Sequence, residues 1–377
     1  MRSAQRNTLL QLFQDAVAAV KGDASVKAWL SAGKLRRPTH ILAVGKAATA
    51  MFEGLPRDWC NSVPALLVTK IGHIGNTVFS GNVLALETSH PIPDQTSLAA
   101  GKRALDFVAN CGSESRLLIL VSGGASALVE HLKTGVRPGD LQALTTAALA
   151  EGVEIGEINR RRTSISAIKG GGLLASFKGG HVDVLAISDV AGDSIDVIGS
   201  GIGAEPEDAG FAYDCSIVAS NAVARGAVER CAKSLGITTV SNKEELYADV
   251  PEIASRIANE ILEGPDGLYV YGGEPTVVLP ENPGRGGRNQ ALALEIARFI
   301  RTRSDIVGLV AGTDGTDGPT DAAGAFVDGE TYLKLPGAEE ARKCANTDSY
   351  LARTGDLVIT GPTGTNVMDL AIFRKHG

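Results

Sequence analysis

The stretch RLLILVSGGASAL, residues 116–128, contains the pattern that decides the fold. Its first part, residues 116–121, is a short run of Leu, Ile and Val after one arginine, which is typical of a strand buried on both faces of a parallel sheet. The small residues of SGGAS follow at once, and their successive backbone N–H groups can bind an anion where the chain turns into a helix. A tight turn without any ligand explains the same residues equally well.

The same order of apolar run, glycine-rich turn and amphipathic segment recurs along the chain. Short apolar runs, most of them β-branched, predict further strands at residues 39–44, 65–68, 182–187, 268–271 and 306–310. Apolar residues three and four positions apart predict helices at residues 97–110, 141–151, 223–235, 250–263 and 290–303. Strands that alternate with helices indicate an α/β architecture, in which ligands bind beyond the carboxyl ends of the strands.

The chain is too long for one hydrophobic core. Its 377 residues predict two domains, and two domains imply a cleft. A charged helical segment followed by EGPDG interrupts the pattern, so we place the transition between the domains near residues 240–266.

Charge and cysteine usage argue against several classes of function. The net charge is −7, from 36 basic and 43 acidic residues without a long basic run, which argues against nucleic acid as a partner. Five scattered cysteines without a C-x-x-C pair argue against structural zinc and a disulfide framework. The six histidines are dispersed, so we expect them in ordinary surface or core roles and expect any metal to be a hard cation bound by oxygen.

The hydropathy pattern predicts no membrane segment. No stretch approaches about 18 uninterrupted apolar residues. The N-terminal segment MRSAQRNTLLQLFQDAVAAV has charged and amide residues among its apolar positions, unlike the apolar core of a signal peptide. We therefore expect an amphipathic first helix and a cytoplasmic location. The oligomeric state stays open, and a homodimer is one of the alternatives.

Charged residues in the first half follow predicted strands. AVGKAA, residues 43–48, places Lys46 at the end of the first strand, where an ammonium group can bind phosphate or carboxylate, although a solvated lysine on a turn fits as well. AISDVAGDSIDVIGSG, residues 186–201, supplies Asp189, Asp193 and Asp196. Carboxylates at strand ends suit Mg²⁺, but each aspartate alone also fits a helix cap or turn; Asp189 is the first choice because it lies against the strand end.

The second half contains polar turns of the same kind. YGGEPTV places Glu274 after a strand, and GRGGRNQ opens a helix with Arg288 and Asn289, a combination suited to clamping an anion. GTDGTDGPTDAAGA contains Asp314 and other carboxylates but lacks the ligand order of a calcium loop. GPTGTNVMDL adds neutral groups such as Asn366, for which a helix cap is the simpler interpretation. Together these turns describe a large polar site for anionic ligands.

Read in order, the motifs VGKAA, SGGASAL, EINRRRTSISAIKGG, ISDVAGD, GSG, GGEPTV, GRGGRNQ, GTDGTDGPTDAAGA and GPTGTNVMDL resemble those of the class II glycerate kinases. The C-terminal domain of that family is called MOFRL. The resemblance extends over residues 7–374, and several of the motifs are long.

This resemblance implies a Rossmann-like parallel-sheet domain at residues 1–245 and a smaller α/β domain at residues 246–377, with the active site in the cleft between them. It implies phosphoryl transfer from ATP to D-glycerate, usually at the 2-hydroxyl, or to a related small hydroxy acid, with Mg²⁺ as cofactor. Lys46 and Arg288 would be the catalytic residues, and Asp189 and Asp193 would bind the metal. The remaining residues implied at the site are Ser122, Gly123, Gly124, Ser126, Glu157, Asn159, Arg161, Lys169, Asn221, Glu274, Asn289, Asp314 and Asn366.

The chain departs from the family pattern at several positions. GSG continues as IGAEPEDA instead of with proline and a polar turn, and the segment before GGEPTV is abbreviated. Ala291 and Met368 stand where the family has Glu and Asn. We expect these changes to affect which hydroxy acid is accepted.

Two other functions are alternatives to the kinase. A hydroxypyruvate reductase would need G-x-G-x-x-G after a strand and a ribose-binding acid about twenty residues later, and neither they nor a placed histidine for hydride chemistry is found. A non-catalytic hydroxy-acid-binding relative is suggested by Ala291 and Met368. Retention of Lys46, Arg288 and Asp189 argues against it.

Overall fold

The computed structural model describes residues 2–33, 36–137, 139–140 and 155–377, with side chains for all of these except residues 2 and 155–159. The chain forms two compact units. One unit is Lys21–Ala219, and the other combines the N-terminal helix α1 (Arg2–Ala19) with Ser220–Gly377. No helix in the described part of the chain combines the length and the apolar character that crossing a lipid bilayer requires.

The unit Lys21–Ala219 is built on a six-stranded sheet in which every neighbouring pair of strands is parallel. Its strands are β1 (His40–Val44), β2 (Ala65–Lys70), β3 (Val83–Thr88), β4 (Arg116–Val121), β5 (His181–Ile187) and β6 (Ala212–Ala219). The order β3-β2-β1-β4-β5-β6 is that of the doubly wound Rossmann fold, and it confirms the predicted fold class. The order of the strands reverses between β1 and β4, and ligands bind at such switch points.

The central strands form as predicted because they are apolar throughout. All side chains of β4 after Arg116 are buried, and so is β1 from Ile41 to Val44. The strands β3 and β6 were not predicted. They lie at the two edges of the sheet and are only partly buried. Polar residues interrupt the apolar pattern of β6, whereas the short apolar run VLAL at the start of β3 was an available signal.

Helices connect and flank these strands. They are α2 (Gly22–Ser31), α3 (Ala48–Glu53), α4 (Arg57–Ser62), α5 (Gln95–Ala109), α6 (Ala125–Leu128) and α7 (Ile155–Ile165). The helix predicted at residues 97–110 corresponds to α5, which begins with a capping box: the Asp94 carboxylate accepts from the backbone N–H of Ser97, whose hydroxyl accepts from that of Asp94. The helix predicted at residues 141–151 lies outside the described residues.

The other unit has a mixed six-stranded sheet of order β11-β10-β9-β12-β8-β7. Its strands are β7 (Thr239–Glu244), β8 (Gly267–Gly273), β9 (Ile306–Gly312), β10 (Gly324–Asp328), β11 (Leu357–Val358) and β12 (Asp369–Lys375). The two strands predicted here, β8 and β9, were expected in a parallel sheet. Instead β12 lies between them and pairs antiparallel with both, because the chain returns across the sheet at its C-terminal end.

Further helices pack around this mixed sheet. They are α8 (Asn221–Ser234), α9 (Val250–Glu263), α10 (Arg288–Phe299), α11 (Ala338–Lys343) and α12 (Thr347–Thr354). Along α9 the residues Val250, Ile253, Ala254, Ile257 and Ile261 are buried, three and four positions apart. They join the core that α10 and the strands β8 and β9 also enter.

The boundary between the units lies at residues 219/220, whereas the sequence analysis placed it at 245/246. The segment in question contains α8 and β7. The strand β7 pairs with β8, and α8 packs on α1, β7 and β8. Because of these contacts, α8 and β7 belong to the mixed-sheet unit. The charged segment that suggested the boundary connects β7 to β8 within that unit.

Lys375, at the end of β12, anchors the C-terminal end of α9. Its ammonium group donates to the carbonyl oxygens of Ile261, Leu262 and Gly264 at 3.0, 2.9 and 2.7 Å. The three N–H groups of the ammonium thus bind carbonyls that a helix end leaves without intrahelical partners.

Lys375→Met keeps most of the side-chain length but removes all three donors, so we expect the free energy of unfolding to fall by about 1–3 kcal/mol. Urea denaturation measures the change. Lys27→Met is the control, because the exposed Lys27 only pairs with Asp23 one helical turn away and should cost less than about 0.5 kcal/mol. Equal losses in the two variants would refute the anchoring role.

Candidate functional site

Lys46 lies at the switch point of the parallel sheet, where the turns after β1 and β4 are bonded to each other. The backbone N–H of Lys46 donates to the carbonyl of Gly123 at 2.9 Å, and that of Ala47 donates to the Ser122 hydroxyl at 3.0 Å. The N–H of Ser122 in turn donates to the carbonyl of Val44 at 3.0 Å. These bonds hold the backbone of Lys46 beside the turn 122–124.

Two glycines make this close approach feasible. Gly45 has φ +129°, and a side chain on it would collide with the Ser122 hydroxyl. Gly124 has φ +84°, and a Cβ there would lie 3.1 Å from the His90 imidazole and 3.2 Å from Cγ of Lys46. The side chains of His90 and Lys46 therefore both lie close to the turn 122–124.

Two histidines near Lys46 were not among the predicted site residues. His73 lies with its Nδ1 3.0 Å from the carbonyl oxygen of Lys46, which can only accept, so this nitrogen is the protonated donor. His90 lies beside Gly124. His73 follows the end of β2 and His90 follows the end of β3, and this position after parallel strands is the signal that could have identified them.

Asp189 and Asp193 follow β5 at the same edge of the sheet. Asp189 comes two residues after the strand, and Asp193 ends a short 3₁₀ turn, Ala191–Asp193. Both side chains are half-buried. Farther along, the Ser200 hydroxyl lies 2.8 Å from that of Ser126, which connects the turn after β4 to the GSG segment. The structure thus brings the metal-site candidates and the glycine turn to neighbouring strand ends.

Lys169 has a partner within the protein. Its ammonium is buried and forms an ion pair with the buried Glu130, which also accepts from the Ser166 hydroxyl at 2.6 Å. Burial lowers the pKa of Lys169, while Glu130 opposes that shift. Arg161 is half-buried on α7. Glu157 and Asn159, on the same helix, lie outside the residues whose side chains are described.

In the mixed-sheet unit the predicted site residues surround Asp369, the first residue of β12. In the sheet Asp369 lies between Gly273 of β8 and Gly312 of β9, the last residues of those strands. Glu274 directly follows β8, and Asp314 follows β9 by two residues. The antiparallel direction of β12 therefore places the start of one strand at the ends of two others.

Arg288 is held in this position by two carboxylates. Its Nε donates to Asp369 at 2.6 Å and a terminal nitrogen donates to the other Asp369 oxygen at 3.4 Å. The second terminal nitrogen pairs with Glu274. Burial disfavours the charged form, but Asp369 and Glu274 outweigh it and hold the pKa of Arg288 above its ordinary value.

Asp317 and Asn289 complete the base of this site. The two carboxylate oxygens of Asp317 accept from the backbone N–H groups of Asn289 and Gln290 at 3.0 and 2.9 Å, at the start of α10. The Asn289 amide also donates to Asp369 at 3.0 Å. Burial raises the pKa of Asp317 to about 7, although the two backbone donors oppose that shift.

Of the other predicted site residues in this unit, Asn221 is buried, whereas Asp314 and Asn366 are half-buried. Asn221 is buried, and its amide donates to the carbonyls of Val367 and Asp369 at 2.9 and 3.1 Å. Asp314 accepts from the backbone of Thr316 at 2.9 Å in its own turn and is half-buried, as is Asn366. Asn221 thus supports the strand that begins at Asp369.

Met368 stands at a position where the backbone conformation accounts for the asparagine of the family. Its φ is +65°, in the left-handed region where asparagine is far better tolerated than most residues with a side chain. The Met368 side chain is buried, and its sulfur accepts from the Tyr247 hydroxyl at 3.6 Å. Ala291 packs against the core of the same unit. An asparagine at position 368 is therefore explained by backbone conformation without any contact to a substrate.

Asp317 and Asp369 were not among the predicted site residues. Asp317 stands in the acidic loop that the sequence analysis noted, and Asp369 stands in the motif GPTGTNVMDL. An aspartate directly before the apolar run LAIF marks the start of a strand and was the available signal for Asp369.

Comparisons with known proteins agree over most of the chain. A family model described as "Domain of unknown function (DUF4147)" matches residues 8–231, and one described as "MOFRL family" matches residues 267–369. The chain is 34% identical to a D-glycerate 2-kinase of Thermotoga maritima, over 96% of both proteins. It is also 34% identical to a glycerate 2-kinase of Pyrococcus horikoshii, over 90% of this chain and 88% of that protein.

A solved structure supports the same relationship. The crystal structure of glycerate kinase from Thermotoga maritima matches with a TM-score of 0.86 at 30% sequence identity, covering 99% of this chain and 100% of that one. The similarity therefore includes both units.

The raised pKa of Asp317 predicts a pH dependence of stability. In the folded chain the Asp317 carboxyl keeps its proton up to about pH 7. In the unfolded chain the same carboxyl has its ordinary pKa of 3.8 and loses the proton near that pH. This stabilisation is fully present below about pH 4 and is lost as the pH rises through about 7.

Asp317→Asn removes the titration, so we expect the loss of stability between about pH 4.5 and 7.5 to be smaller than in the wild type by about 1 kcal/mol or more. Chemical denaturation across this range measures it. Asp321→Asn, at an exposed position in the same loop, serves as the control and should follow the wild type. The same pH slope in all three proteins would show that Asp317 does not titrate in this range.

Proposed function

The chain belongs to the family of glycerate kinases that joins a DUF4147 domain to a MOFRL domain, and from this we propose that it transfers the γ-phosphoryl group of ATP to the 2-hydroxyl of D-glycerate. The observation that carries the proposal is the position of Lys46, bonded through its backbone to the glycine turn at the switch point of a Rossmann-type sheet. Ligands bind in the crevice at such a switch point.

Lys46 supplies positive charge to this site. A phosphoryl group in transfer spreads negative charge over three equatorial oxygens, and catalysis consists mainly of positioning it and stabilising that charge. The backbone bond between Lys46 and Gly123 fixes where the side chain begins. We assign Lys46 to contact the transferring phosphoryl group, while the turn 122–124 supports the phosphates or the substrate carboxylate.

Arg288 supplies the second cation. Its three bonds to Asp369 and Glu274 use three of the five N–H groups of a guanidinium, so two can bind phosphoryl oxygens. The carboxylates also fix the plane of the group before a substrate arrives. Donors that are already oriented stabilise a transition state without the cost of reorganisation. Because the guanidinium stays charged, we assign it no role as a proton carrier.

Asp189 and Asp193 are the residues proposed to hold Mg²⁺. Both are partly solvent-accessible and lie on the loop after β5, and carboxylate oxygens are the donors that this hard cation prefers. Asp189 and Asp193 would hold the ion, and it would supply positive charge that offsets the negative charge of the ATP phosphates.

The reductase alternative has less support. The sheet has the strand order of dinucleotide-binding proteins, but the turn after β1 reads GKAATA and β2 ends in Thr69 and Lys70. A dinucleotide site needs glycines that admit the pyrophosphate and an acid near this strand end to bind the ribose. The turn after β1 has a single glycine and β2 ends without an acid, so the dinucleotide-binding pattern is missing from both places.

The proposed activity predicts that purified protein with Mg²⁺ consumes ATP with D-glycerate and does not oxidise NADH or NADPH with hydroxypyruvate. A panel of glycerate, erythronate, threonate, tartronate and hydroxypyruvate tests the acid, and NMR of the product locates the phosphate, expected on the 2-oxygen. Reduction of hydroxypyruvate at an enzymatic rate, with no ATP consumed on any acid, would overturn the proposal. Ligand-dependent stabilisation without turnover would instead favour the non-catalytic binding relative.

The two cations predict the effect of their removal. Lys46→Met and Arg288→Lys should each lower kcat by a factor on the order of 10² to 10⁵, as expected for charges that stabilise a phosphoryl transition state. Lys27→Met and Arg301→Lys, at exposed positions away from the strand ends, are the matched controls and should keep kcat.

Steady-state kinetics with saturating ATP and glycerate measure kcat, and circular dichroism checks that each variant is folded. A folded Lys46 or Arg288 variant that keeps more than roughly a tenth of wild-type kcat would show that the residue has no transition-state contact.

A further inference from the structure

His181, Asp183 and Asp214 form a polar cluster at the amino-terminal ends of β5 and β6. His181 begins β5, and Asp183 lies two residues later on the same face of that strand. Asp214 of β6 is the register partner of Asp183, so strand pairing places the two aspartates side by side. Asp214 is 31 positions after Asp183 in sequence, and therefore no local motif indicated the three-residue cluster.

The two distances from the His181 nitrogen to the carboxylates match the spacing of ligand atoms around a small transition-metal ion. Nε2 of His181 lies 3.1 Å from an oxygen of Asp183 and 3.3 Å from an oxygen of Asp214. All three donor atoms are within 4.8 Å of one another. Ligand atoms bound tetrahedrally to Zn²⁺ at about 2.0–2.1 Å are separated by about 3.3 Å.

The hydrogen bonding of the His181 nitrogen also fits a bound metal ion. Nε2 is buried, yet it makes no hydrogen bond of acceptable geometry to either nearby carboxylate. A buried polar atom without a partner costs free energy, and natural proteins rarely leave one. An ion placed among the three donors would satisfy this nitrogen together with both carboxylates.

Arg116 and solvent access also fit a metal site. A terminal nitrogen of Arg116 lies 3.5 Å from the Asp183 oxygen that faces away from His181, and such outer contacts orient ligating carboxylates. With a neutral imidazole, the two carboxylates and the one guanidinium leave a charge of −1 to attract a cation. Asp214 has 76% of its side chain exposed, which leaves a path for the ion and room for a water ligand.

We propose that His181, Asp183 and Asp214 bind one divalent transition-metal ion, with Zn²⁺ the best match to one imidazole and two carboxylates. The strand His181–Ile187 separates this cluster from Asp189 by about 20 Å at roughly 3.3 Å per residue. The ion would therefore take no part in the chemistry. It would join the edge strand β6 to β5 and so stabilise the sheet.

The test uses the full-length protein after removal of metals by a chelator, with Zn²⁺ as the probe. Calorimetric titration should show one tight equivalent, and His181→Ala and Asp214→Asn should each weaken it by about tenfold or more. Asp208→Asn is the matched control, because this exposed aspartate lies in the loop before β6 and outside the cluster. Zn²⁺ should also raise the thermal midpoint of the wild type and not that of His181→Ala.

Unchanged affinity and stoichiometry in both cluster variants would overturn the proposal, since any zinc bound would then be elsewhere. Should His181→Ala fail to fold, the mostly exposed Asp214→Asn decides by itself. Neither readout depends on kinase activity, so failure of the zinc site and failure of the proposed reaction are separate results.

Discussion

The backbone bonds between the turns after β1 and β4 are the constraint on which the parallel-sheet site depends. Lys46 donates to Gly123, Ala47 donates to Ser122, and Gly45 leaves no side chain in between. Both turns are therefore held at one place on the sheet edge. The Lys46 side chain therefore starts from a fixed position, because the backbone of Lys46 is bonded to the glycine turn.

Asp369 has the corresponding role in the mixed sheet. It begins an antiparallel strand between two strands that end in glycine, and its carboxylate binds both Arg288 and the Asn289 amide. A buried carboxylate is stable only when its charge is compensated, and a cation is oriented best when its partners are rigid. The same contacts therefore stabilise Asp369 and orient Arg288.

Several residues implied at the site by resemblance have partners within the protein. Lys169 is paired with the buried Glu130, and Asn221 donates to the carbonyls of Val367 and Asp369. A group in the interior must find such partners, because leaving it unpaired costs about 1–3 kcal/mol or more. Motif resemblance cannot distinguish a residue that would touch the ligand from one that supports its neighbours, since both kinds are needed for the same site.

The sequence by itself determined the α/β class, the central strands and the turns that bear Lys46, Asp189, Glu274 and Arg288. It did so because continuous apolar runs and glycine-rich turns are local signals. Only the tertiary structure decided the insertion of β12 between β8 and β9, the partners of Arg288, the approach of His73 and His90 to Lys46, and the unit boundary at residue 219. These features depend on which strands become neighbours, and strand pairing joins residues whose separation in sequence carries no record of their contact.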